Sequence, residues 1–307
     1  MAKVKVRRAS REELPGLAVL RDSIKSEMPA YPFWNAVLDL DMEVDPVLEH
    51  LITHDPDGCM TAVLKDETLG FAASHVRSRQ CVISEIWVLP QHRGIGAGEA
   101  LISRALAYGD RSGAREFMAV VPPDGPVQGI LLRHGFEPIL PIYNFRLTAE
   151  QVAELGAGLS RLLPGQDVTT DLLAHKGQAD IDRIDKLTRN VSRDADHLFW
   201  LKGCDRRAAF VRQGSRIGAF AYAGSDFIGP VAGSTQDAAL AGIGWALELS
   251  ARYGRPQPLE LRVPSRFNSA IEAVQEVGGK IVSTHMVYGR GVRSKFDRYI
   301  FGSPALP

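Results

Sequence analysis

From Val82 to Leu89 the chain is apolar and β-branched, broken only by Ser84 and Glu85, and it stops at Pro90. A run of that length and composition predicts a buried strand, and proline ends it because it has no N–H to give a ladder. Glycines follow at 94, 96 and 98, and a helical pattern then runs from Glu99 towards Tyr108. Upstream, Val4–Arg7 alternates as a first strand, and Ser10 with Glu13 forms a capping box for a helix to about Glu27. A short helix is expected over Val47–Thr53 and a turn over Asp55–Gly58. Met60–Leu64, Leu69–Val76 and Cys81–Leu89 then read as three successive antiparallel strands. Downstream, Glu116–Val121 returns as a strand, and Pro122-Pro123-Asp124-Gly125 stops it. A helix carrying Val127, Ile130 and Leu131 leads to His134-Gly135-Phe136.

The second half repeats this order. Thr148 and Gln151 make another capping box, opening a helix to about Leu163 that reads as a connector. Arg216-Ile217-Gly218-Ala219-Phe220-Ala221 echoes Thr68-Leu69-Gly70-Phe71-Ala72. Phe227–Ala232 takes the place of the central strand, and Ala238–Tyr253 that of the long helix. Leu259–Pro264, a helix to Gly278-Gly279, and Lys280–Tyr288 complete the series. Pro122 to Gly135 spans 13 residues and Pro264 to Gly278 spans 14, a period that suggests duplication of one domain. The expected organisation is residues 1–147 as the first domain, 148–166 as the connector and 167–307 as the second. Where the first copy has its glycine turn, the second reads Gly233-Ser234-Thr235-Gln236, with a helix cap but no arginine and no glycine pair.

Charge narrows the classes of partner. Lys plus Arg and Asp plus Glu are 36 each, so no excess charge points to nucleic acid or to an anionic membrane. Three scattered cysteines (Cys59, Cys81, Cys204) make neither a disulfide framework nor a metal cluster, and they suit a reducing compartment. No apolar run reaches membrane-spanning length, and MAKVKVRRAS lacks the apolar core of a signal peptide, so a cytoplasmic protein is expected.

A strand feeding a glycine turn that opens a helix is a device for phosphate. The backbone comes close to the anion, successive N–H groups converge, and the helix N-terminus adds positive potential. The spacing is neither G-x-G-x-x-G nor a P-loop, since no Gly-Lys-Ser/Thr follows. Arg93-x-x-Gly96-x-Gly98 lies between Ile86-Trp87-Val88-Leu89-Pro90 and Leu101-Ile102. It resembles the pyrophosphate loop of the GCN5-related N-acetyltransferase (GNAT) family, R/Q-x-x-G-x-G/A. The helix ending in Gly135-Phe136 is similar to that family too, strongly over about 60–146. Ile228-Gly229-Pro230-Val231 before an Ala-rich helix resembles the degenerate C-terminal domain of two-domain bacterial members, more loosely over about 168–290.

That resemblance implies an α+β fold with a mixed sheet, built as two tandem GNAT-like acyl-CoA N-acyltransferase domains. It also implies direct acyl transfer from acetyl-CoA, as co-substrate, to an amine of a small molecule or peptide. The pyrophosphate would sit on Arg93, Gly94, Ile95, Gly96, Ala97 and Gly98. Backbone donors of Ile86, Trp87 and Val88 would meet the thioester end, with Trp87 beside the pantetheine. Asp124 takes the family's asparagine place and Leu131 its tyrosine place. That tyrosine commonly protonates the departing thiolate, and leucine has no proton to give.

Glu85 is the first candidate base, because a carboxylate inside an apolar strand has its pKa raised by burial. The alternative for it is a salt bridge with Arg77 or Arg79. His134 and His75 titrate in a suitable range, and Tyr143 and Tyr108 are replacement acids by residue type; solvent is another proton source. His50 and His54 are four apart with Asp55 after them, but no third clustered ligand follows, so no metal is expected. The second copy is expected to shape the acceptor site, with Phe227–Val231 and the loop aromatics Tyr31, Phe33 and Trp34 as acceptor contacts. The competing reading is an acyl-CoA-binding sensor or interaction protein without turnover, which Leu131 favours and Glu85 opposes. A homodimer stays open.

Overall fold

A computed structural model describes residues 3–26, 45–123, 126–163, 165, 167–169, 177–204, 206–224, 227–253 and 258–307. Tyr31, Phe33, Trp34 and Asp124 lie outside them. The chain divides into two compact units, the first chiefly Met1–Ile139 with Val287–Val292, the second chiefly Leu140–Met286 with Arg293–Ala305.

In the first unit, β1 (Lys5–Arg8) leads into a short helical turn at Arg11–Glu13 and then α1 (Leu14–Ser26). The Glu13 carboxylate accepts from the Ser10 N–H at 2.8 Å and pairs with Arg7, so the expected capping residues open this helix. Asp45 opens α2 (Pro46–His54), its carboxylate accepting from the Val47 and Leu48 N–H groups at 2.8 and 3.1 Å. Then come β2 (Cys59–Leu64), β3 (Glu67–Arg77) and β4 (Gln80–Val88), followed by α3 (Ala97–Arg111), β5 (Glu116–Val121) and α4 (Val127–Arg133). Strands β1 to β4 pair antiparallel in sequence order, as the alternation predicts, and β5 joins β4 in parallel. The α3 helix packs on β2, β3 and β4, and α4 packs on α3. Leu101, Ile102, Ala105 and Leu106 of α3 are buried, on the i, i+3, i+4 face that the sequence pattern marks.

The second unit takes over within β6 (Glu137–Leu147), and α5 (Ala149–Leu159), β7 (Asp167–Thr169), α6 (Gln178–Arg189) and α7 (Asp194–Lys202) follow. After them come β8 (Arg207–Gln213), β9 (Arg216–Ala223), β10 (Ile228–Gly233), α8 (Gln236–Tyr253), β11 (Leu259–Pro264), α9 (Asn268–Glu276), β12 (Lys280–Arg290) and β13 (Tyr299–Ile300). One sheet runs β13-β10-β9-β8-β7, with α8 across β8, β9 and β10; β11 pairs antiparallel with β6 from Leu259↔Leu147 to Pro264↔Ile142. The division therefore falls earlier than the 147/148 expected. The reason lies in α5: Val152, Leu155 and Leu159 join the core that α8 contributes to through Ile243 and Leu247. A helix read as a connector is part of this core.

Phe227–Val231 is also core. Phe227 is 7% exposed and Ile228 and Val231 are fully buried, with Ile228 and Val231 in the core cluster of the second unit.

A buried ionic group ties α6 to α7. Asp185 accepts from Arg193 at 2.7 and 3.0 Å and lies 2.9 Å from His197 Nε2, whose other ring nitrogen is 2.8 Å from the Tyr222 hydroxyl. Burial alone would raise the Asp185 pKa, but Arg193 and His197 hold it well below the usual carboxylate range. A carboxylate depressed in the folded state stabilises above its unfolded pKa, and that contribution is lost as pH falls below about 4. Asp185→Asn, which leaves Arg193 buried without its charge partner, should cost about 3–5 kcal/mol in chemical denaturation at pH 7. The cost should shrink on acidification, and a pH-independent difference would contradict this account.

Candidate functional site

β4 and β5 share hydrogen bonds only between Gln80–Ile83 and Glu116–Ala119. Beyond Ile83↔Ala119 the two strands part. The register of β4 against β3 shifts at the same place: Ile83 faces Ser74 and Glu85 faces Ala73, which leaves Ser84 as an extra, bulged residue. The bulge bends β4 away from its parallel neighbour and opens a cleft of about 310 Å³ between them. Its walls are aliphatic, including Ile83, Ile86, Val88, Val120, Val121, Ile130 and Leu131.

The glycine turn closes one end of this cleft, which is lined there by Arg93, Gly94, Gly96, Ala97 and Gly98. Gly94 and Gly96 take φ of +81° and +89°, a left-handed conformation that favours glycine, and a Cβ built on either would meet nothing within 4 Å. The space beside the turn is open. The Ala100 N–H closes onto the Gly96 carbonyl at 3.0 Å, so the amides before it have no intrahelical acceptor. An anion placed here meets these N–H groups and the positive end of α3. Ile95, expected in the same loop, is 48% exposed and does not line the cleft.

Glu85 lies towards the other end, 7% exposed. The Trp87 indole N–H donates to its Oε2. Burial raises the Glu85 pKa, while Arg21, Lys25 and the Trp87 hydrogen bond pull it down and Asp45 pushes it up; the balance stays above the ordinary value. Arg21 is itself buried and paired with Asp45. Burial works against its charge, but Glu85 and Asp45 hold the guanidinium above its usual pKa. Lys25 sits 5.8 Å from the Trp87 ring, its ammonium lowered by burial and by Arg21. Of the two expected alternative partners for Glu85, Arg77 bonds Asp55 at 2.7 Å, and Asp55 also accepts from the Tyr108 hydroxyl at 2.6 Å.

The other candidates fall as follows. Leu131 is fully buried and lines the cleft, so a hydrocarbon faces the position that resembles the family tyrosine. Tyr143 belongs to the second unit, where it packs against the core cluster, and it does not line the cleft. Tyr108 is bound to Asp55, with its pKa raised by burial and by that carboxylate. His134 lies 2.6 Å from Glu99, and His75 lies 2.8 Å from the Ser84 hydroxyl. His54 is turned to the His50 carbonyl at 3.0 Å. Arg21 and Lys25 were not anticipated. Their signal was present: Leu14, Leu17 and Ile24 mark the buried stripe of α1, and Arg21 falls on it, a charge at a core position.

In the second unit the corresponding turn is closed. A Cβ on Gly233 would lie 2.3 Å from the Ala239 nitrogen and 2.7 Å from the Thr235 carbonyl, so backbone fills the space that is open beside Gly94 and Gly96.

The model of the acetyltransferase (GNAT) family matches residues 21–136. Over 73 residues the chain is 34% identical to an uncharacterized N-acetyltransferase of Archaeoglobus fulgidus, a match covering 22% of this chain. The chain spans about half the length of that curated relative, 50%. A Pyrococcus horikoshii protein named as a candidate acetyltransferase has the same fold, with a TM-score of 0.73, 17% identity, and coverage of 100% of this chain and 97% of that one. A tandem GNAT protein from the clavulanic acid biosynthesis pathway aligns over 94% of this chain and 98% of its own, at TM-score 0.58 and 11% identity. The chain thus has a tandem GNAT fold, and its first unit carries the match to the GNAT family model. The family match thus lies in the first unit, and the solved structures share the fold of the whole chain.

A carboxyl whose folded pKa is raised stabilises below its unfolded value, near 4.3, and that contribution is lost as pH rises through the folded pKa. Glu85→Gln, a neutral isostere, should therefore gain stability relative to the parent as pH rises from about 4 to neutrality. Denaturant midpoints over that range check it, and a difference that stays flat or reverses would contradict the raised Glu85 pKa.

Proposed function

We propose that this protein is an acyl-CoA-dependent N-acetyltransferase whose cleft between β4 and β5 takes acetyl-CoA and whose acceptor is an amine of a small molecule or peptide. The observation that carries this reading is one cleft with an anion-ready glycine turn at one end and a buried carboxylate at the other. Acetyl-CoA would supply the activated acyl group: the acceptor's N–C bond forms, the C–S bond breaks, and the thiolate leaves.

The chain's own residues divide the work. The amides of Gly94 to Gly98 and the guanidinium of Arg93 hold the pyrophosphate. The backbone of Ile86 to Val88, freed from pairing with β5, offers N–H donors to the thioester carbonyl. Glu85 takes the proton from the acceptor's ammonium, help worth roughly 100- to 10,000-fold in rate. Aliphatic walls exclude water from the reacting end. Leu131 supplies no proton, and neither Tyr143 nor Tyr108 lines the cleft, which among the described residues favours solvent as the proton source for the thiolate.

Leu131 favours a second reading, an acyl-CoA-binding sensor without turnover. A thiol-release assay with acetyl-CoA across a panel of amines separates the two. Acceptor-dependent release is expected, and CoA binding with no release for any amine would leave the sensor.

Gly96→Val meets both the positive φ and the anion, so it should weaken CoA binding by more than tenfold, about 1.4 kcal/mol. Unchanged affinity would break the loop assignment. The filled turn at Gly233 supports one CoA per chain, and calorimetry that finds two, or a site surviving Gly96→Val, would contradict this.

A further inference from the structure

Trp87 carries a different task from the one its place in the strand suggests. It stands two residues after Glu85 on β4, so both side chains leave the same face of the strand. Val88, on the opposite face, points towards α3, its Cγ2 lying 3.9 Å from where a Gly98 Cβ would be. The Trp87 indole N–H donates to Glu85 Oε2, and Lys25 of α1 covers the ring at 5.8 Å. Both residues line the cleft and both are 7% exposed. Among the described residues Oε2 is the Glu85 oxygen held by a hydrogen bond, which leaves Oε1 as the one for a ligand.

We propose that Trp87 is a positioning residue for proton transfer: its indole N–H pins Oε2 of Glu85, fixes the carboxylate rotamer, and leaves Oε1 to receive the proton of the acceptor's ammonium. This rests on the reading of Glu85 as the base. An indole N–H is a donor only and cannot exchange roles, so it stabilises the ionised carboxylate without competing for the acceptor's proton. The other charged groups around Glu85 are fixed by their own contacts. Arg21 is paired with Asp45 and with Asp22, and Asp45 caps α2. Lys25 lies 3.9 Å from Asp22. Arg21, Lys25 and Asp45 act on Glu85 by charge alone, so the Trp87 bond sets its orientation.

The test is the pH profile of kcat/KM for the parent, Glu85→Gln, Trp87→Phe, and a chain with β-(3-benzothienyl)alanine at position 87, which keeps the bicyclic shape and replaces N–H by sulfur. CoA affinity is measured for each. Removing the donor disfavours the ionised carboxylate, so the acid limb should move up by about one pH unit in both position-87 variants. kcat should fall at neutral pH, read separately from any change in CoA affinity. The benzothienyl chain keeps the packing, so its profile decides the matter where Trp87→Phe folds poorly. An acid limb that stays at the parental pH in the benzothienyl chain, while Glu85→Gln abolishes the limb, overturns the inference and leaves Glu85 as base. A limb that persists in Glu85→Gln overturns the base reading itself, and this inference with it.

Discussion

Two neighbouring strands of one sheet cannot stop pairing without consequence, because each exposed N–H and C=O needs another partner. β4 and β5 stop after Ile83 and Ala119, and much of the first unit follows from that single break. The bulge at Ser84 bends the strand at the point of divergence, and α3 with α4 cover the widening gap. The edge of β4 is left facing a narrow aliphatic slot, where an extended amide-bearing ligand can replace the missing strand. Pro90 then ends β4 where the chain must turn towards the N-terminus of α3, and the glycine turn lines the same slot.

The second constraint is the price of burying a carboxylate in that slot. Burial disfavours the ionised form of Glu85, and α1 brings Arg21 to offset part of that, while Asp45 at the cap of α2 pairs with Arg21. The arrangement is a compromise: the charges offset part of the burial cost, and the carboxyl is left a better proton acceptor than one in water. Sequence-distant elements are therefore tied to this carboxyl group through charge as well as packing. The second unit keeps the order of strand, helix and strand but fills its turn with backbone at Gly233, so the core persists where the open glycine turn does not.

Much of this was legible in the chain because it depends on local spacing. The buried strand with one carboxylate, the glycine turn and the Pro122–Gly135 helix segment all follow from residues within a few positions of one another, and their elements form as expected. The capping boxes at Ser10 and Thr148 are local as well. What stayed hidden depends on tertiary packing. Helix α5 has the pattern of an amphipathic helix, which says that one face is buried but not against what, so it read as a connector instead of a core element. The loss of Arg77 to Asp55, and the recruitment of Arg21 in its place, join residues far apart in sequence. Trp87 read as a ligand contact because the family resemblance implies a place for it beside the pantetheine; its N–H bond to Glu85 needs rotamers that sequence does not specify.

The central claim is that the break between β4 and β5 is the acyl-CoA site and that Glu85 is at its reacting end. A crystal structure determined with bound acetyl-CoA tests it most directly. The account predicts the pyrophosphate on the amides of Gly94 to Gly98, the pantetheine alongside Ile86 to Val88, and the thioester carbon within one water or less of Glu85. A cofactor bound elsewhere, or a thioester lodged away from Glu85 with the glycine turn empty, would contradict it.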